Sequence, residues 1–576
     1  MTSSASPSGR SAPATTLELF TPKLITVLRE GYHLRDLRAD VISGLTVAIV
    51  ALPLSMAIAI ASGATPERGL FTAIIGGFLI CALSGSRFQI GGPAAAFTVV
   101  VATSIANHGL DGMFLATFMA GFFLLAIGLL RLGSYIKFIP YPVTVGFISG
   151  IAVILFAGQI HDLLGLTLAG REPPDFMPKI EALAGAIGTI NTAAAAVSLG
   201  TILIIVGLRR VLPNWPGILI AVVASALAAY VLHLPVETIG TRFGGIPGSL
   251  PAPHLPALSL AKMQEVLPDA ITFTLLGAIE SLLSAMVADG MTGRRHRSNM
   301  ELVAQGVANV ASSLFGGLPA TGTIARTATN IRAGARGPVS GMLHSVFVVL
   351  FMLVAAPLAS YIPLAGLAGV LVVVAWNMAE KHEIVALVRT SWGDAVVLLA
   401  TLGLTVFRSL SEAIVVGFAL GALLFIHRMS QTTGIEEHVP PSVEDRADGA
   451  NGDRAPYDSA RATDPDVVVY RISGAFFFGA AGTVSGVLDR IADRHRALIL
   501  DFAAVPFIDT TAANAIAAVV RKAHRHKVAV YVSGAAPMVK RALVSRGIDA
   551  PLTEYQTSID AAWTQAHAAL RVPAVS

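Results

Sequence analysis

The sequence predicts a polytopic α-helical membrane protein that ends in a small α/β domain, and three observations predict this class. The chain of 576 residues is 54% hydrophobic and only 13% charged, which is more apolar surface than soluble cores could bury. Apolar segments long enough to span a bilayer recur from Asp40 to Met429. Beyond Asp466, short β-branched runs alternate with helical patterns, as is typical of an α/β domain.

The N-terminal region, residues 1–35, is predicted to be disordered or to lie at the membrane interface. Its first residues are rich in Ser, Ala and Pro and lack the apolar core of a signal peptide. The membrane domain is therefore assigned to residues 36–430.

Fourteen spans are the number that the apolar segments favour, because each is close to the ~20 residues that a spanning helix needs. Loops after even-numbered spans carry about twice as many Lys and Arg residues as loops after odd-numbered spans. Since cytoplasmic loops carry the excess of positive charge, both termini are predicted to be cytoplasmic, with the chain in the cell (inner) membrane. The net charge of +4 is spread over these loops, which argues against a nucleic-acid partner.

Two pairs of motifs indicate that the spans form a seven-plus-seven inverted repeat. I-A-S-G-A-T at 60–65 is echoed by V-A-D-G-M-T at 287–292, and G-G-P at 91–93 by G-G-L-P at 316–319. Seven spans separate the copies, so the two halves have opposite orientations. Inverted repeats are typical of secondary transporters, whose substrate lies near the midplane between broken helices. A chance match of short motifs is the alternative.

The Gly- and Pro-rich stretches interrupt the third and tenth spans. In hydrocarbon, an open backbone is tolerated only where protein or a water-filled cavity covers it. Helices are predicted to begin near Ala94 after the first break and near Thr323 after the second, with their N-termini facing each other. Each N-terminus offers unpaired N–H groups and partial positive charge, which together favour an anion.

Two charged residues fall inside predicted spans. Arg326 lies about one turn into the tenth helix, and Glu280 lies at the centre of the eighth span. An arginine at mid-membrane costs about 2.5–3.5 kcal/mol to insert, so we expect it to have a partner or a task. Arg326 either attracts and contacts anions or forms a structural ion pair with Glu280. Because desolvation favours the protonated acid, Glu280 is also a candidate proton carrier.

After Met429 the composition becomes polar and rich in Pro and Asp, which predicts a linker at residues 431–465. An α/β domain is assigned to residues 466–572. Its predicted elements are strands at 467–470, 497–502 and 528–532 and helices near 481–495, 510–525 and 536–547.

Several kinds of chemistry have no sequence support. The single cysteine, Cys81, cannot form an internal disulfide. No Gly-rich phosphate loop, metal-ligand cluster or nucleophile–base pair is recognisable, so the sequence predicts no cofactor, no metal and no enzymatic activity.

Four stretches carry a resemblance to a known family: D-V-I-S-G-L-T-V-A-I-V-A-L-P at 40–53, Q-I-G-G-P at 89–93, L-L-G-A-I-E-S-L-L-S at 275–284 and G-G-L-P-A-T-G-T-I-A-R-T at 316–327. In these stretches the chain resembles the sulfate permease (SulP) family of prestin-related anion transporters and exchangers, which end in a cytoplasmic STAS domain. The resemblance implies a core domain that moves against a gate domain, in a homodimer.

The resemblance also implies an anion pocket where the third and tenth helices begin. The pocket residues would be Pro93, Ala94, Ala95, Ala96, Gly322, Thr323, Ile324, Ala325 and Arg326, with Glu280 and Ser284 as coupling residues on the eighth helix.

This chain departs from related sequences at three places. A sodium-coupled bicarbonate branch has Gly-Ala-Thr where this chain has Gly322, Thr323 and Ile324; Ile324 lacks a hydroxyl ligand, which favours proton over sodium coupling. Eukaryotic members read P-Q-G-M-A-Y or P-Q-G-M-A-F where this chain reads P-L-S-M-A-I at 53–58, so eukaryotic-type selectivity is not expected. Nucleobase permeases share the fold but have an acidic side chain on the tenth helix, where this chain has Arg326.

In the C-terminal domain, F-I-D-T-T-A-A at 507–513 resembles the D-S-S-G phosphorylation loop of anti-sigma factor antagonists. Thr511 matches the phosphoacceptor and is a candidate regulatory site, although Ala512 replaces the usual Gly. The alternative is that Asp509 only caps the helix that begins at Thr510.

The sequence thus predicts secondary active transport of a small inorganic or carboxylate anion across the lipid bilayer. A sulfate-like oxyanion is the first expectation, with a proton as the coupling ion. The alternatives are a dicarboxylate such as fumarate, bicarbonate, or an anion channel or sensor that signals through its STAS domain.

Overall fold

The computed structural model describes residues 16–133, 140–170, 172–212, 215–431, 434–437, 464, 466–477 and 495–571. They belong to two compact units, Met1–Phe418 and Ala419–Ser576. The disorder predicted for the first fifteen residues, and nearly all of the helix predicted near 481–495, lie outside the described residues.

Two short helices, α1 (Thr16–Leu19) and α2 (Lys23–Gly31), precede the long apolar helices. The backbone N–H of Lys23 donates to the carbonyl of Ser84 at 2.9 Å. Arg297 reaches the same region, because its guanidinium donates to the carbonyl of Thr21 at 2.7 Å. Part of the region predicted as disordered or interfacial is therefore folded and docked on the ends of the bundle.

The first half of the membrane unit contains nine helices and one very short strand among its described residues. They are α3 (Leu34–Ala61), α4 (Pro66–Phe71), α5 (Gly77–Leu83), β1 (Gly91–Gly92), α6 (Thr98–Leu129), α7 (Tyr141–Leu164), α8 (Phe176–Gly185), α9 (Thr192–Val211), α10 (Gly217–Val231) and α11 (Ile239–Phe243), in chain order from α3. A π-helical turn, Thr72–Gly76, joins α4 and α5 into one span. Gly109, with φ 72°, breaks α6 into two spans, because only glycine adopts that conformation without cost.

The second half repeats this order. Its elements are α12 (Leu260–Thr292), α13 (Ser298–Leu314), β2 (Thr321–Gly322), α14 (Ile324–Arg332), α15 (Val339–Ala359), α16 (Leu364–Met378), α17 (Lys381–Thr390), α18 (Trp392–Phe407) and α19 (Leu410–Gln431). With α4–α5 counted once, α6 counted twice and the short helices α8, α11 and α17 left out, fourteen helical segments follow the predicted order. Of these described helices, nine qualify as spans by length and composition alone, and α10 and α18 are shorter apolar helices.

The membrane helices pack mainly within two groups. The core group comprises α3–α6 and α12–α15, in which α6 packs on α12 and α13, and α3 packs on α15. The gate group comprises α7, α9, α10, α16 and α18, in which α7 packs on α16 and α18. Each group draws helices from both halves of the chain, as two interleaved inverted repeats require.

The C-terminal unit is a five-stranded sheet with helices on both faces. Its elements are β3 (Gly434–Glu437), β4 (Val467–Ser473), β5 (Ala497–Ala504), α20 (Thr510–Arg525), β6 (Ala529–Ser533), α21 (Pro537–Val544), β7 (Glu554–Gln556) and α22 (Ile559–Arg571). The strand order is β3-β4-β5-β6-β7, with β3 antiparallel and the rest parallel. The central β5 is a mainly apolar run, interrupted by Asp501, because both of its faces are buried over most of its length.

The sheet includes residues that the sequence analysis placed elsewhere. Strand β3 comes from the segment predicted as a linker, and it pairs Gly434 with Ser473. β7 and α22 were not predicted. α22 covers the face of the sheet opposite to α20, where Ala562 and Ala566 pack on Ile499.

Candidate functional site

Two strands of two residues each bring the broken spans together. Gly91 of β1 lies opposite Gly322 of β2, in an antiparallel pair. The backbone N–H of Thr323 also donates to the carbonyl of Ile90 at 2.9 Å. This pairing satisfies backbone groups that hydrocarbon would leave unpaired. The sequence predicted both breaks but not that they pair with each other.

The pairing requires glycine on both strands. A Cβ at Gly91 would lie 2.7 Å from the Cβ of Ile80, and a Cβ at Gly322 would overlap the side-chain amide of Gln89. Gly92 has φ 150° and lies against the guanidinium of Arg326. Close approach of neighbouring side chains therefore explains the glycines of both strands.

Helices begin directly after each strand, as predicted. After β1, Ala95–Phe97 forms a 3-10 turn that leads into α6, and after β2 the helix α14 begins at Ile324. Neither start has a side-chain cap. The first helical bonds run from Phe97 to Ala94 and from Thr327 to Thr323. The N–H groups that precede these two donors have no acceptor within their own helix, which is the arrangement that favours an anion.

The predicted pocket residues differ in accessibility. Ala325 is exposed, Ala95 and Ile324 are half-buried, and the others, Pro93, Ala94, Ala96, Gly322, Thr323 and Arg326, are buried. Both helix starts are therefore partly accessible to solvent, the first at Ala95 and the second at Ile324 and Ala325.

Arg326 is 2% exposed and its side chain points into the protein. One guanidinium nitrogen, Nη2, donates to the Ser55 hydroxyl at 3.1 Å. Nε and Nη1 have no hydrogen-bond partner among the described residues. The positive charge thus lies behind β1, against Gly92, and reaches the helix starts through its electric field.

Glu280 is 8% exposed, and no described residue forms a hydrogen bond or ion pair with its carboxylate. In particular, its oxygens form no salt bridge with Arg326, which donates instead to Ser55. The structural ion pair offered as an alternative for these two residues is therefore wrong within the part of the chain that the structure describes. Among these residues Glu280 has no neutralising partner.

Ser284 lies one turn after Glu280 and is fully buried. Its hydroxyl hydrogen-bonds the Thr327 hydroxyl at 3.1 Å, which in turn accepts the backbone N–H of Ile90 at 3.1 Å. Ser284 therefore connects α12 to both broken spans.

A fully buried acid, Glu301 on α13, was missed by the sequence analysis. One carboxylate oxygen accepts the Ser281 hydroxyl at 3.0 Å; the other accepts the Ser84 hydroxyl at 2.5 Å and the backbone N–H of Gly85 at 3.0 Å. Gln89 donates to the same Ser281 hydroxyl at 2.6 Å. These bonds hold the extended segment that leads into β1 against α12.

A signal for this cluster was present in the sequence. Glu301, Gln305 and Asn309 recur at four-residue spacing, which places them on one face of a helix. Gln305 hydrogen-bonds the Thr321 hydroxyl at 3.0 Å, and Asn309 exchanges hydrogen bonds with the backbone of Ala320 at 2.8 Å. This polar face of α13 supports β2.

One side-chain hydrogen bond links the core group to α19. The hydroxyls of Thr272 on α12 and Ser411 on α19 are 2.5 Å apart. Next to Thr272, Phe273 packs edge-to-face on Phe97, with ring centroids 5.9 Å apart. Thr272 precedes Glu280 by about two turns, so this contact lies on the N-terminal side of Glu280 along α12.

In the C-terminal unit, Asp509 caps α20 by accepting the backbone N–H of Ala512 at 2.8 Å. The predicted helix cap is therefore present. Thr511 is exposed in the first turn of α20, and its phosphorylation stays a prediction.

Models of two protein families match the sequence. The sulfate permease family model matches residues 37–401, and the STAS domain model matches residues 460–561. The putative sulfate transporter YvdB of Bacillus subtilis is 40% identical over 521 residues, which cover 90% of this chain and 95% of YvdB. The bicarbonate transporter BicA of Picosynechococcus sp. is 31% identical and covers 89% of this chain and 91% of BicA.

Two solved structures are similar to this one. The transmembrane domain of a cyanobacterial BicA is 33% identical, with a TM-score of 0.60, and covers 68% of this chain and 98% of that domain. Murine Slc26a9, solved in an inward-facing state, has a TM-score of 0.82 and covers 97% of this chain and 96% of its own. Because Slc26a9 is only 17% identical, this likeness is evidence of the fold alone.

Proposed function

The chain belongs to the sulfate permease family, and from this premise we propose that it is a secondary active transporter of a small oxyanion, with sulfate as the first candidate. It is a multi-pass membrane protein with a C-terminal STAS domain, and its relatives are named as sulfate or bicarbonate transporters. We propose that the protein lies in the cell (inner) membrane with both termini in the cytoplasm. We also propose that it forms a homodimer.

The pairing of β1 with β2 is the observation that carries the proposal. It brings two uncapped helix starts together, each equivalent to about half a positive charge. The N–H groups of Ala95 and Ala96 and those of Ile324 and Ala325 would then donate to the anion. Arg326 adds its full charge from behind β1. A dianion gains more from this field than a monoanion, which favours sulfate over bicarbonate.

A proton is the proposed coupling ion, and Glu280 is the proposed carrier. Its carboxylate has no partner among the residues described, so burial favours its neutral form. A proton that travels with the anion reduces the net charge moved across the membrane. Sodium is less suited, because the Thr323 hydroxyl is engaged with the Ile90 carbonyl at 3.2 Å and Ile324 has no hydroxyl.

Alternating access would occur by movement of the core group, which carries both helix starts, against the gate group. In this proposal the exposed Ala325 gives the anion access to the site from one side, whereas the Thr272–Ser411 contact blocks access nearer the start of α12. Transport requires this contact to break once in each cycle.

Bicarbonate is the second candidate substrate. Two relatives named as bicarbonate transporters are 31% and 33% identical to this chain, each over 89% of it. Helix starts bind oxyanions generically, so they would also accept bicarbonate, and only the greater charge of sulfate distinguishes the two at this site.

Uptake into proteoliposomes tests the proposal. Radiolabelled sulfate uptake is measured with and without an inward proton gradient, and bicarbonate and fumarate are tested as competitors. Saturable uptake that the gradient drives above equilibrium supports sulfate–proton symport. Flux that only dissipates the sulfate gradient indicates a channel. If a folded, reconstituted protein gives no sulfate signal but takes up bicarbonate, the sulfate assignment is wrong.

A further inference from the structure

A pocket of about 430 Å³ lies where α2 meets the turns that follow α12 and α14. Its charged lining residues are Glu30, Asp36, Arg87, Arg294 and Arg336, and Tyr32 and Thr292 add hydroxyl groups. None of its lining residues belongs to the helix starts at which we place the transported anion. The pocket is therefore a separate feature of the core group and the N-terminal segment.

The pocket has more positive charge than its acids neutralise. Arg87 forms a salt bridge with Glu30, and this hydrogen bond lowers the pKa of the Glu30 carboxyl, so that pair is ionised and neutral overall. Asp36 accepts the backbone N–H of His33 at 3.0 Å, as a helix cap does. The guanidinium groups of Arg294 and Arg336 have no hydrogen-bond or ion-pair partner in the described ranges. Three arginines against two acids, Glu30 and Asp36, leave the cavity a net charge of +1, and two of the arginines have no ion-pair partner among the described residues.

The backbone beneath Arg336 is held in place before any ligand binds. The buried carboxylate of Asp40 accepts the backbone N–H groups of Arg336 at 2.6 Å and Gly337 at 3.2 Å. Tyr32 donates its hydroxyl to the same carboxylate at 2.7 Å. This turn is thus rigid, and ordering it adds little to the cost of binding.

Apolar side chains beside the pocket mark where lipid meets the protein. Leu28 on α2 is 55% exposed, and Leu34 and Ile42 at the start of α3 are also exposed. Cationic side chains next to exposed apolar residues are typical of segments at the level of lipid headgroups. Arginine is well suited to phosphate, because its planar guanidinium donates two parallel hydrogen bonds.

We propose that this pocket binds a phosphate group, supplied by the headgroup of an anionic lipid, between Arg294 and Arg336. The phosphate fills the space between the turn after α12 and the turn after α14. Since α14 carries one of the two helix starts, bound lipid clamps that half-helix to α12 and to α2.

The test measures binding to the full chain purified in detergent. Phosphatidylglycerol, phosphatidylcholine and inorganic phosphate are titrated separately, and the midpoint of thermal unfolding is recorded. Phosphatidylglycerol should raise the midpoint saturably, and phosphatidylcholine should not. In the Arg294→Gln/Arg336→Gln variant, the phosphatidylglycerol concentration that gives half of the shift should rise about 25-fold. Each cation near an anionic headgroup contributes about fivefold in affinity, and the variant removes two cations.

Arg295→Gln is the matched control, because Arg295 is exposed next to Arg294 but does not line the pocket. Its half-saturating concentration should change by less than about twofold. If the double variant is less stable without lipid, Arg294→Gln alone replaces it, since that exposed guanidinium forms no hydrogen bond or ion pair with the described residues. A shift with inorganic phosphate alone, lost in the double variant, supports a phosphate site but overturns the lipid as its source. Equal stabilisation of wild type and double variant by phosphatidylglycerol overturns the proposal.

Discussion

Gly92 lies directly against the guanidinium of Arg326, so that a Cβ at position 92 would be 2.5 Å from Nη1. The first broken span therefore has no side chain at the point where the charge of the second broken span is buried. The two halves of the repeat therefore pack closely at this contact as well as at the β1–β2 pair. The relationship explains how an arginine can lie behind β1 and still act on both helix starts.

Gly92→Ala should reduce transport strongly. The new methyl group displaces the guanidinium, and the positive φ of 150° adds backbone strain of about 1–3 kcal/mol. Sulfate uptake and the midpoint of thermal unfolding should both fall. Gly200→Ala is the control, because a Cβ there meets no described atom within 4 Å; it should leave uptake unchanged and should not lower the midpoint, since alanine favours a helix such as α9. Normal uptake by Gly92→Ala would contradict the close packing.

Arg326→Gln should weaken anion binding more than Arg326→Lys. If Arg326 acts through its field, the lysine variant keeps the charge and the glutamine variant loses it. We expect KM for sulfate to rise about tenfold or more in Arg326→Gln, which corresponds to about 1.4 kcal/mol. Arg389→Gln, at an exposed position on α17, is the control. Equal loss in both Arg326 variants would instead indicate that the shape of the guanidinium matters and its charge does not.

Glu280→Gln should separate proton coupling from sulfate movement. The amide keeps the size of the side chain but cannot carry a proton at any physiological pH. Uptake driven by a proton gradient should fall to the level without a gradient, while exchange of labelled for unlabelled sulfate continues. The exchange measurement also shows that the variant is folded. Gradient-driven uptake equal to wild type would remove Glu280 from the coupling mechanism.

Glu301→Gln should destabilise the protein. The carboxylate accepts three hydrogen bonds, and an amide group in its place turns an NH₂ toward the backbone N–H of Gly85 or toward the hydroxyl of Ser281. Loss of one buried bond to a charged acceptor costs about 1.5–3 kcal/mol. The midpoint of thermal unfolding should fall clearly below that of Glu412→Gln, an exposed position on α19. Equal midpoints would show that Glu301 contributes little to stability.

The sequence predicted the breaks and the helix starts because the bilayer leaves few alternatives. Gly and Pro near the middle of a span must open the backbone, and Ala94 and Thr323 are the last residues before helical sequence resumes. The pairing of Gly91 with Gly322 was not predictable from either stretch alone, because sequence patterns report on residues that are near one another along the chain, and these two are adjacent only in the fold. The location of the Arg326 guanidinium was not predictable either, because the position of a residue on a helix does not determine the conformation of a long side chain.

In the C-terminal unit, elements with a clear hydrophobic pattern were predicted and very short strands were not. The apolar run of β5 and the amphipathic α20 were placed within a few residues of their observed bounds. β3 and β7 have only four and three residues, and they join the sheet through pairing with strands already formed. Segments this short carry no periodicity that a sequence could reveal.

The Thr272–Ser411 contact should lock transport when it is made covalent. The two hydroxyl oxygens are 2.5 Å apart, so the side chains at these positions meet, and a Thr272→Cys/Ser411→Cys variant should form a disulfide under mild oxidation. The native Cys81 is fully buried and should not compete. If the core group must move away from α19 in each cycle, the oxidant should abolish sulfate uptake in the double variant, and a reductant should restore it. Each single cysteine variant controls for oxidation alone and should keep its uptake. An oxidised double variant that transports normally, with the disulfide confirmed by mass spectrometry, would show that this contact persists through the cycle and that access alternates elsewhere.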